Sequence, residues 1–222
     1  MMRSTRLKAP ATLILVTLSM GMAAAGMILL AAKNKPVINQ PAPVIPEDEI
    51  HSFIDGPARD SIASVIAFAK VYKVLMSPRC MNCHPSGDIP LQGDYSQLHT
   101  MGVKRGPDGK GLYAEKCSNC HQPQNTPGKH TPPGNPKWAL PPADMKMVFQ
   151  GRTPRQLALQ LLNPNENGHK TKEQLIEHVT SDTLVLGGWN PGEGRTLPPM
   201  SHKEFAVAFR TWIETGAYAP KK

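Results

Sequence analysis

The sequence predicts a mainly α fold in which helices are joined by long loops and preceded by one transmembrane helix. Several segments space their apolar residues as a helix does, and no segment alternates as a strand does. The chain has 23 prolines and 18 glycines, but only 3 Trp, 4 Tyr and 5 Phe among 222 residues. Pro and Gly thus exceed their average share of about 12%. This composition predicts long loops and little apolar volume for a core.

Five segments carry helix signals. The last one begins at a capping box of Ser201 and Glu204, places Phe205, Ala208, Phe209 and Trp212 on one face, and ends at Gly216. Segment 60–76 has Asp60 as N-cap and places Ile62, Val65, Ile66 and Ala69 on one face. Segment 154–162 has Thr153 as cap and Pro154 in the first position. The remaining two are the short segment 112–116 and segment 172–179.

Two stretches, 80–84 and 117–121, share the pattern C-x-x-C-H. This pattern is the attachment signature of a c-type haem, in which two thiols form thioethers with the porphyrin and the next histidine binds the iron. The predicted thioether residues are Cys80, Cys83, Cys117 and Cys120, and the predicted proximal iron ligands are His84 and His121. The motifs use all four cysteines of the chain. The sequence therefore predicts two covalently bound haem c groups, with the long loops wrapped around them.

Two other uses of the cysteines are open. Paired C-x-x-C motifs also suit a structural zinc site, although the 33 residues between Cys83 and Cys117 exceed the usual spacing and zinc does not explain a histidine after each pair. A C-x-x-C pair can also be a dithiol redox motif in a βαβ setting, but no strand–helix alternation surrounds either copy.

The N-terminus predicts membrane targeting. Residues 1–10 are basic, and 11–32 form an uncharged run of 22 residues. A bilayer-spanning helix needs about 20 apolar residues, so this run predicts a transmembrane signal anchor with the basic segment in the cytoplasm. The small residues 23–25 also allow a cleaved signal peptide. Both interpretations place the remaining chain in the periplasm, and the anchor makes the lipid bilayer a partner.

Residues 33–50 are rich in proline and predict an extended linker. Residues 51–222 then form the predicted dihaem domain. The formal net charge is +8, but five basic and no acidic residues lie in 1–35, which leaves 20 basic against 17 acidic residues elsewhere. The charge belongs largely to the membrane flanks and does not indicate nucleic-acid binding.

Two stretches resemble the cytochrome c superfamily. Gly111-Leu112-Tyr113-x-x-x-Cys117-x-x-Cys120-His121 resembles the entry helix of a class I cytochrome c, and Leu197-Pro198-Pro199-Met200 before a helix resembles its methionine loop. With 103–111 and 189–192, the region from about 70 to 220 is similar to the dihaem subunits of periplasmic molybdenum hydroxylases, the isoquinoline 1-oxidoreductase subunit group. This resemblance implies cytochrome c-like helices around two haems.

The resemblance also implies a function, namely the transfer of electrons from a molybdenum and iron–sulfur partner towards the respiratory chain. On this hypothesis the chain is an electron-transfer subunit and has no catalytic residues of its own. The alternative is a dihaem enzyme of the peroxidase type, in which one iron keeps an open position. A zinc-stabilised interaction domain is the third hypothesis.

The sixth iron ligands are left open by the sequence. His99 lies in a polar loop that can fold back on the first haem, His178 lies on a predicted helix, and Met200 follows two prolines before a capped helix. The candidates are His99, His178, Met200, Met145, Met147 and His130, with His169, His202 and Met101 considered beside them. For the haem propionates, the candidate partners are Lys104, Arg105, Arg152 and Arg195, because cationic side chains suit carboxylates.

Overall fold

The computed structural model describes residues 57–221. The three N-terminal segments predicted from the sequence lie outside the described residues: the basic segment 1–10, the signal anchor 11–32 and the linker 33–50. The first residues of the predicted dihaem domain, 51–56, also lie outside them.

Six α-helices and two short hairpins form the regular structure of the described chain. The helices are α1 (Pro57–Leu75), α2 (Pro78–Met81), α3 (Pro154–Leu162), α4 (Lys172–Ser181), α5 (Thr183–Leu186) and α6 (His202–Glu214). Strand β1 (Leu91–Gln92) pairs antiparallel with β2 (Gln97–Leu98), Leu91 opposite Leu98, and β3 (Gly111–Leu112) pairs antiparallel with β4 (Glu115–Lys116), Gly111 opposite Lys116. Two 3-10 turns span Cys117–Asn119 and Gly187–Trp189.

The apolar core lies mainly between α1 and α6. Phe68 and Trp212 are both fully buried, and their ring centroids are 4.7 Å apart. The ring of Phe209 lies 5.3 Å from that of Trp212 at an interplanar angle of 85°. Ser64 joins the two helices, since its Oγ donates to the Trp212 carbonyl (3.0 Å) and accepts from the Tyr218 amide (2.9 Å). Helices α3 and α4 complete the core through Leu157, Leu161, Leu175 and Val179.

The stretch 82–153 contributes little to this core. Of the 17 buried residues in the apolar cluster, only Phe149 comes from it. Its loops are held instead by backbone hydrogen bonds, such as Arg105 N to Asp88 O (2.7 Å) and Leu140 N to Gly109 O (2.9 Å). The segment that contains most of both C-x-x-C-H motifs therefore has few large buried apolar side chains.

The predicted helix caps at Ser201 and Thr153 are confirmed. Ser201 Oγ accepts from the Glu204 amide (3.3 Å), while Glu204 Oε2 accepts from the Ser201 amide (2.9 Å), which is a capping box. Thr153 forms the same arrangement with Gln156, and Pro154 takes the first helical position. The predicted helices 154–162 and 172–179 are confirmed, the second extending two residues further to Ser181.

Replacing Ser201 with alanine is expected to lower the free energy of unfolding by about 1 kcal/mol, because the hydroxyl that accepts from the Glu204 amide and donates to the Glu204 carboxylate (2.7 Å) is lost. Urea denaturation followed by circular dichroism measures the change. The matched control is Ser181→Ala, whose hydroxyl only bonds back to the Glu177 carbonyl within α4 (2.8 Å). Equal losses for the two variants would contradict a specific capping effect.

Two predictions about helix α1 were wrong. Helix α1 begins at Pro57, so Asp60 lies in its first turn and is not its N-cap. The predicted apolar face is also misplaced, because Ile62 and Ile66 are 58% and 56% exposed while Phe68 is fully buried. Apolar residues occupy more than one side of α1, so their spacing alone does not identify the side that meets α6.

The predicted helix 112–116 is instead the β3–β4 hairpin. Its backbone has positive φ at Gly111 (91°) and Tyr113 (43°), which is incompatible with a right-handed helix. A Cβ atom at Gly111 would collide with the Glu115 carbonyl, so the tight turn requires glycine there.

The predicted mainly α fold class is wrong, while the transmembrane helix predicted to precede it lies outside the described residues. The described chain is only partly helical, at 39%. Long turns between the helices, many of them with positive φ, account for the difference. No helix within residues 57–221 is both long enough and apolar enough to span a membrane.

Candidate cofactor site

The two C-x-x-C-H motifs fold into similar turns. In the first motif, helix α2 contains Cys80, and the Cys83 amide donates to the Cys80 carbonyl (3.2 Å). In the second motif, a 3-10 turn begins at Cys117, and the Cys120 amide donates to the Cys117 carbonyl, also at 3.2 Å. Each turn brings the two cysteines of its motif together and leads directly into the histidine.

The two motif histidines are held by the same kind of hydrogen bond. His84 Nδ1 lies 2.7 Å from the Met147 carbonyl oxygen, and His121 Nδ1 lies 2.7 Å from the Pro133 carbonyl oxygen. A carbonyl only accepts, so Nδ1 must carry the proton in both rings. The lone pair of each neutral imidazole is then on Nε2. A hydrogen bond from the other ring nitrogen to a backbone carbonyl is the usual support of a metal-ligating histidine.

An aromatic ring stacks on each of these imidazoles. The His84 and Phe149 ring centroids are 3.9 Å apart with an interplanar angle of 9°, and the same values describe His121 and Trp138. The hydrogen bond and the stacked ring together fix the orientation of each imidazole. The surroundings of the two motif histidines are therefore also similar, which the five-residue pattern does not show.

Burial keeps both histidines neutral. It lowers the pKa of His84 to about 4, against the opposing effect of the Met147 carbonyl. It also lowers the pKa of His121, again as the largest cause. Neutral imidazole is the form that binds a metal, so both rings are in the required protonation state at neutral pH.

The thiols have the opposite character to those of a redox-active pair. Burial raises the pKa of Cys80 to about 12 and that of Cys83 to about 11. It also raises the pKa of Cys117. Dithiol redox motifs depend on a lowered thiol pKa, so this site does not favour that hypothesis.

The structure also bears on the zinc hypothesis. The four cysteines are free, with none in a disulfide. Within residues 57–221, no three or more His, Cys, Asp or Glu side chains converge as a metal-holding group. A structural zinc site needs four converging ligands, and the cysteine pairs do not form one.

His99 lies beside the second motif. Its ring centroid is 6.3 Å from that of His121, at an interplanar angle of 62°. The sequence prediction had directed this loop towards the first haem, whereas the structure brings it to His121. Strand β2 immediately precedes His99, and the His99 amide donates to the Pro90 carbonyl (2.9 Å), so the ring projects from a paired backbone.

His178 is half-buried in α4 and lies near the first motif. Its Nδ1 is 3.1 Å from Asp182 Oδ2. After burial and the Met147 hydrogen bond, the charge of His178 is the next largest influence on the pKa of His84, and it acts to lower it. His178 is therefore near the first proximal histidine, as His99 is near the second.

The remaining ligand candidates lie in less suitable surroundings. Met147 and Met200 pack against the apolar core, and their carbonyls accept hydrogen bonds from His84 and Trp189 respectively. Met145 is half-buried, and His130 is exposed with φ 58°. Of the other residues considered, Met101 is 70% exposed, His169 is exposed, and His202 Nε2 donates to the Val179 carbonyl (2.8 Å).

Arg105 is the most buried of the predicted propionate partners, with a side chain only 1% exposed. Its guanidinium donates to the carbonyls of Pro141 and Gly87, while its buried Nε has no hydrogen-bond partner among the described residues. Arg195 donates to the carbonyls of Pro191 and Thr131 and so joins two loops. Arg152 is half-buried, and Lys104 is exposed.

Sequence reasoning missed the groups that support the motif histidines. Phe149 and Trp138 follow the motif histidines by 65 and 17 residues, so no local spacing connects them. The Met147 and Pro133 carbonyls leave no signature in a sequence, because every residue has a carbonyl.

Comparison of the chain with protein-family models, with curated proteins and with solved structures finds no match. The arguments for its function therefore depend on the motifs and on the geometry around them.

Proposed function

We propose that the chain is a dihaem c-type cytochrome that transfers electrons on the periplasmic side of the cytoplasmic membrane. Cys80 and Cys83 would attach the first haem and Cys117 and Cys120 the second. His84 and His121 would bind the two irons. Each haem, when bound, supplies one-electron redox chemistry.

One observation carries this proposal, namely the shared environment of the two motif histidines. Each donates its Nδ1 proton to a loop carbonyl at 2.7 Å, and each is stacked on an aromatic ring at 3.9 Å. A zinc or dithiol function gives no reason to orient both histidines in this way. Ligation of two irons does, because the free Nε2 of each ring must point at its metal.

The composition of the loop region supports the same proposal. Residues 82–153 supply one member of the apolar core cluster, although they make up a large part of the described chain. Two porphyrins bring a large apolar surface into such a region, and burial of that surface stabilises the loops around it. This argument links the high Pro and Gly content to the cofactors.

The chain's own residues would orient the two iron-binding histidines and cover their rings. Met147 and Pro133 fix the ring orientation of the proximal histidines, and Phe149 and Trp138 cover the imidazoles. By its resemblance to dihaem subunits, the chain would accept electrons from a molybdenum and iron–sulfur oxidoreductase and pass them to a respiratory acceptor. The partner enzyme would perform the catalysis.

Haem stoichiometry tests the proposal. Protein produced in a host with c-type maturation machinery is expected to contain two covalent haems per chain, measured as reduced pyridine haemochrome. The paired variants Cys80→Ala/Cys83→Ala and Cys117→Ala/Cys120→Ala are each expected to retain one, because each pair serves one porphyrin.

The matched control is Ser118→Ala, an exposed position between the cysteines of the second motif. It should keep both haems. Absence of covalent haem from the unaltered protein would overturn the proposal. Rapid turnover of hydrogen peroxide by the dihaem protein would instead favour the peroxidase alternative.

A further inference from the structure

The rings of His99 and His121 lie close together in an edge-on arrangement, with an interplanar angle of 62°, and their separation is compatible with one shared metal ion. A metal–imidazole bond is about 2.0 Å long, so two imidazoles on opposite sides of one metal have nitrogen atoms about 4 Å apart and ring centroids about 6 Å apart. The observed centroid separation is 6.3 Å. An edge-on contact of two rings has a similar separation, as the 6.1 Å and 62° between Phe205 and Phe209 show, so the case for a shared metal depends on the unpaired ring nitrogens as well as on the distance.

The position of His121 leaves one side for this partner. Trp138 stacks on the flat face of the ring, and the Pro133 carbonyl occupies Nδ1. Nε2 has no hydrogen-bond partner within residues 57–221, and it is the nitrogen that carries the lone pair. His99 is the histidine whose ring lies within 6.3 Å of His121.

His99 itself is available as a ligand. Its Nδ1 accepts a long hydrogen bond from the Met101 amide (3.4 Å), so ligation through Nε2 requires this weak bond to break and the ring proton to move to Nδ1. Its Nε2 has no partner in the described chain. Two backbone contacts fix the loop: the His99 amide donates to Pro90, and the His99 carbonyl accepts from Gly102, both at 2.9 Å. Burial lowers its pKa, which favours the neutral ring.

The methionine candidates do not occupy this position. Met101 follows two residues later but is 70% exposed. Met200, which the sequence favoured as a rigid ligand loop, packs against the apolar core between the helices, where its carbonyl accepts from Trp189 Nε1 (2.8 Å). The geometry thus selects a histidine for the second side of this site.

We propose that the iron of the second haem is bound by two histidines, His121 and His99. This inference rests on the proposed dihaem function and deepens it. Two imidazole ligands give a six-coordinate, low-spin iron with a lower reduction potential than histidine and methionine give. They also leave no open position at this iron for a substrate such as peroxide.

The test is His99→Ala in the dihaem protein. We expect haem content to stay at two per chain, because the thioethers are intact, while about half of the haem changes from low-spin to high-spin in the electronic and EPR spectra. Added imidazole should restore the low-spin spectrum. The control is His130→Ala, because the His130 side chain is exposed and its hydrogen bond to the Glu193 carbonyl comes from the backbone amide.

A second measurement keeps the proposal testable if His99→Ala does not fold. The near-infrared and EPR spectra of the unaltered protein distinguish two histidine ligands from histidine and methionine. A methionine signature on both haems, or an unchanged low-spin spectrum in His99→Ala, would overturn bis-histidine ligation and leave the dihaem function intact. Protein without covalent haem would instead overturn the proposed function itself.

Discussion

Replacing Trp212 with alanine is expected to lower the free energy of unfolding by about 3–5 kcal/mol, the cost typical of removing a buried large aromatic side chain. Trp212 is fully buried, and its ring meets Phe68 and Phe209. Its Nε1 also donates to the Tyr218 carbonyl (3.2 Å), which ties the C-terminal segment to α6. The substitution therefore leaves a cavity and an unpaired carbonyl at the contact between α1 and α6.

Urea denaturation at neutral pH, followed by far-ultraviolet circular dichroism, measures this loss. The control is Val207→Ala on the same helix, where the side chain is 58% exposed. An exposed substitution of this kind changes stability by about 0.5 kcal/mol or less. Losses of similar size for the two variants would show that α6 does not provide the core contact described above.

The helix ends were predictable, and the buried face of α1 was not. Capping boxes such as Ser201 with Glu204 act between residues three apart, so the sequence contains the whole interaction. The choice between Ile62 and Phe68 as a core residue depends on where α6 lies, and that contact joins residues separated by more than 140 positions. Local spacing does not contain this information.

The predicted helix at 112–116 failed for a related reason. Leu112 and Lys116 are acceptable in a helix, but Gly109 and Gly111 lie immediately upstream with φ of 77° and 91°. These glycines fold the chain back, and a Cβ at Gly109 would collide with the Leu140 carbonyl. The long-range approach of Leu140 decides the local structure here, and helix propensity is too weak to oppose it.

The candidate site could likewise be predicted only in part from the sequence. The six residues of the two C-x-x-C-H motifs could be identified because the chemistry of attachment fixes their spacing. The choice among the sixth-ligand candidates could not be made, since His99 is 22 residues from His121 and nothing in the sequence records their approach. In the structure His99 directly follows strand β2, and its ring centroid lies 6.3 Å from that of His121.

If the chain binds the two proposed haems, replacing Arg105 with methionine is expected to lower the reduction potential of the first by about 40–90 mV. Its guanidinium is buried and its nearest carboxylate, on Asp88, is 3.8 Å from Nε and already bonded to Lys146 at 2.8 Å. Asp88 therefore compensates this buried cation only in part; a buried charge without a close partner costs several kcal/mol, and a haem propionate would supply a second anion. Arg105 Nη2 donates to the carbonyl of Gly87 (3.2 Å), three residues after His84, which places the guanidinium near the first motif.

The direction of the expected change in reduction potential follows from the charge of the iron. A nearby cation disfavours the ferric state more than the ferrous state, so removing the cation stabilises the oxidised haem and lowers its potential. A Coulomb energy on the order of 1–2 kcal/mol at an effective dielectric of about 20 corresponds to about 40–90 mV for one electron. Spectroelectrochemical titration of the dihaem protein measures this change in reduction potential.

Two further variants separate charge from packing. Arg105→Lys keeps the cation and should retain most of the potential, although it loses the forked hydrogen bonds to Pro141 and Gly87. Lys104→Met removes an exposed neighbouring cation, whose charge is screened by solvent. We expect it to shift the potential far less than Arg105→Met. Equal shifts from the two methionine variants would mean that Arg105 acts as surface charge and does not hold a propionate.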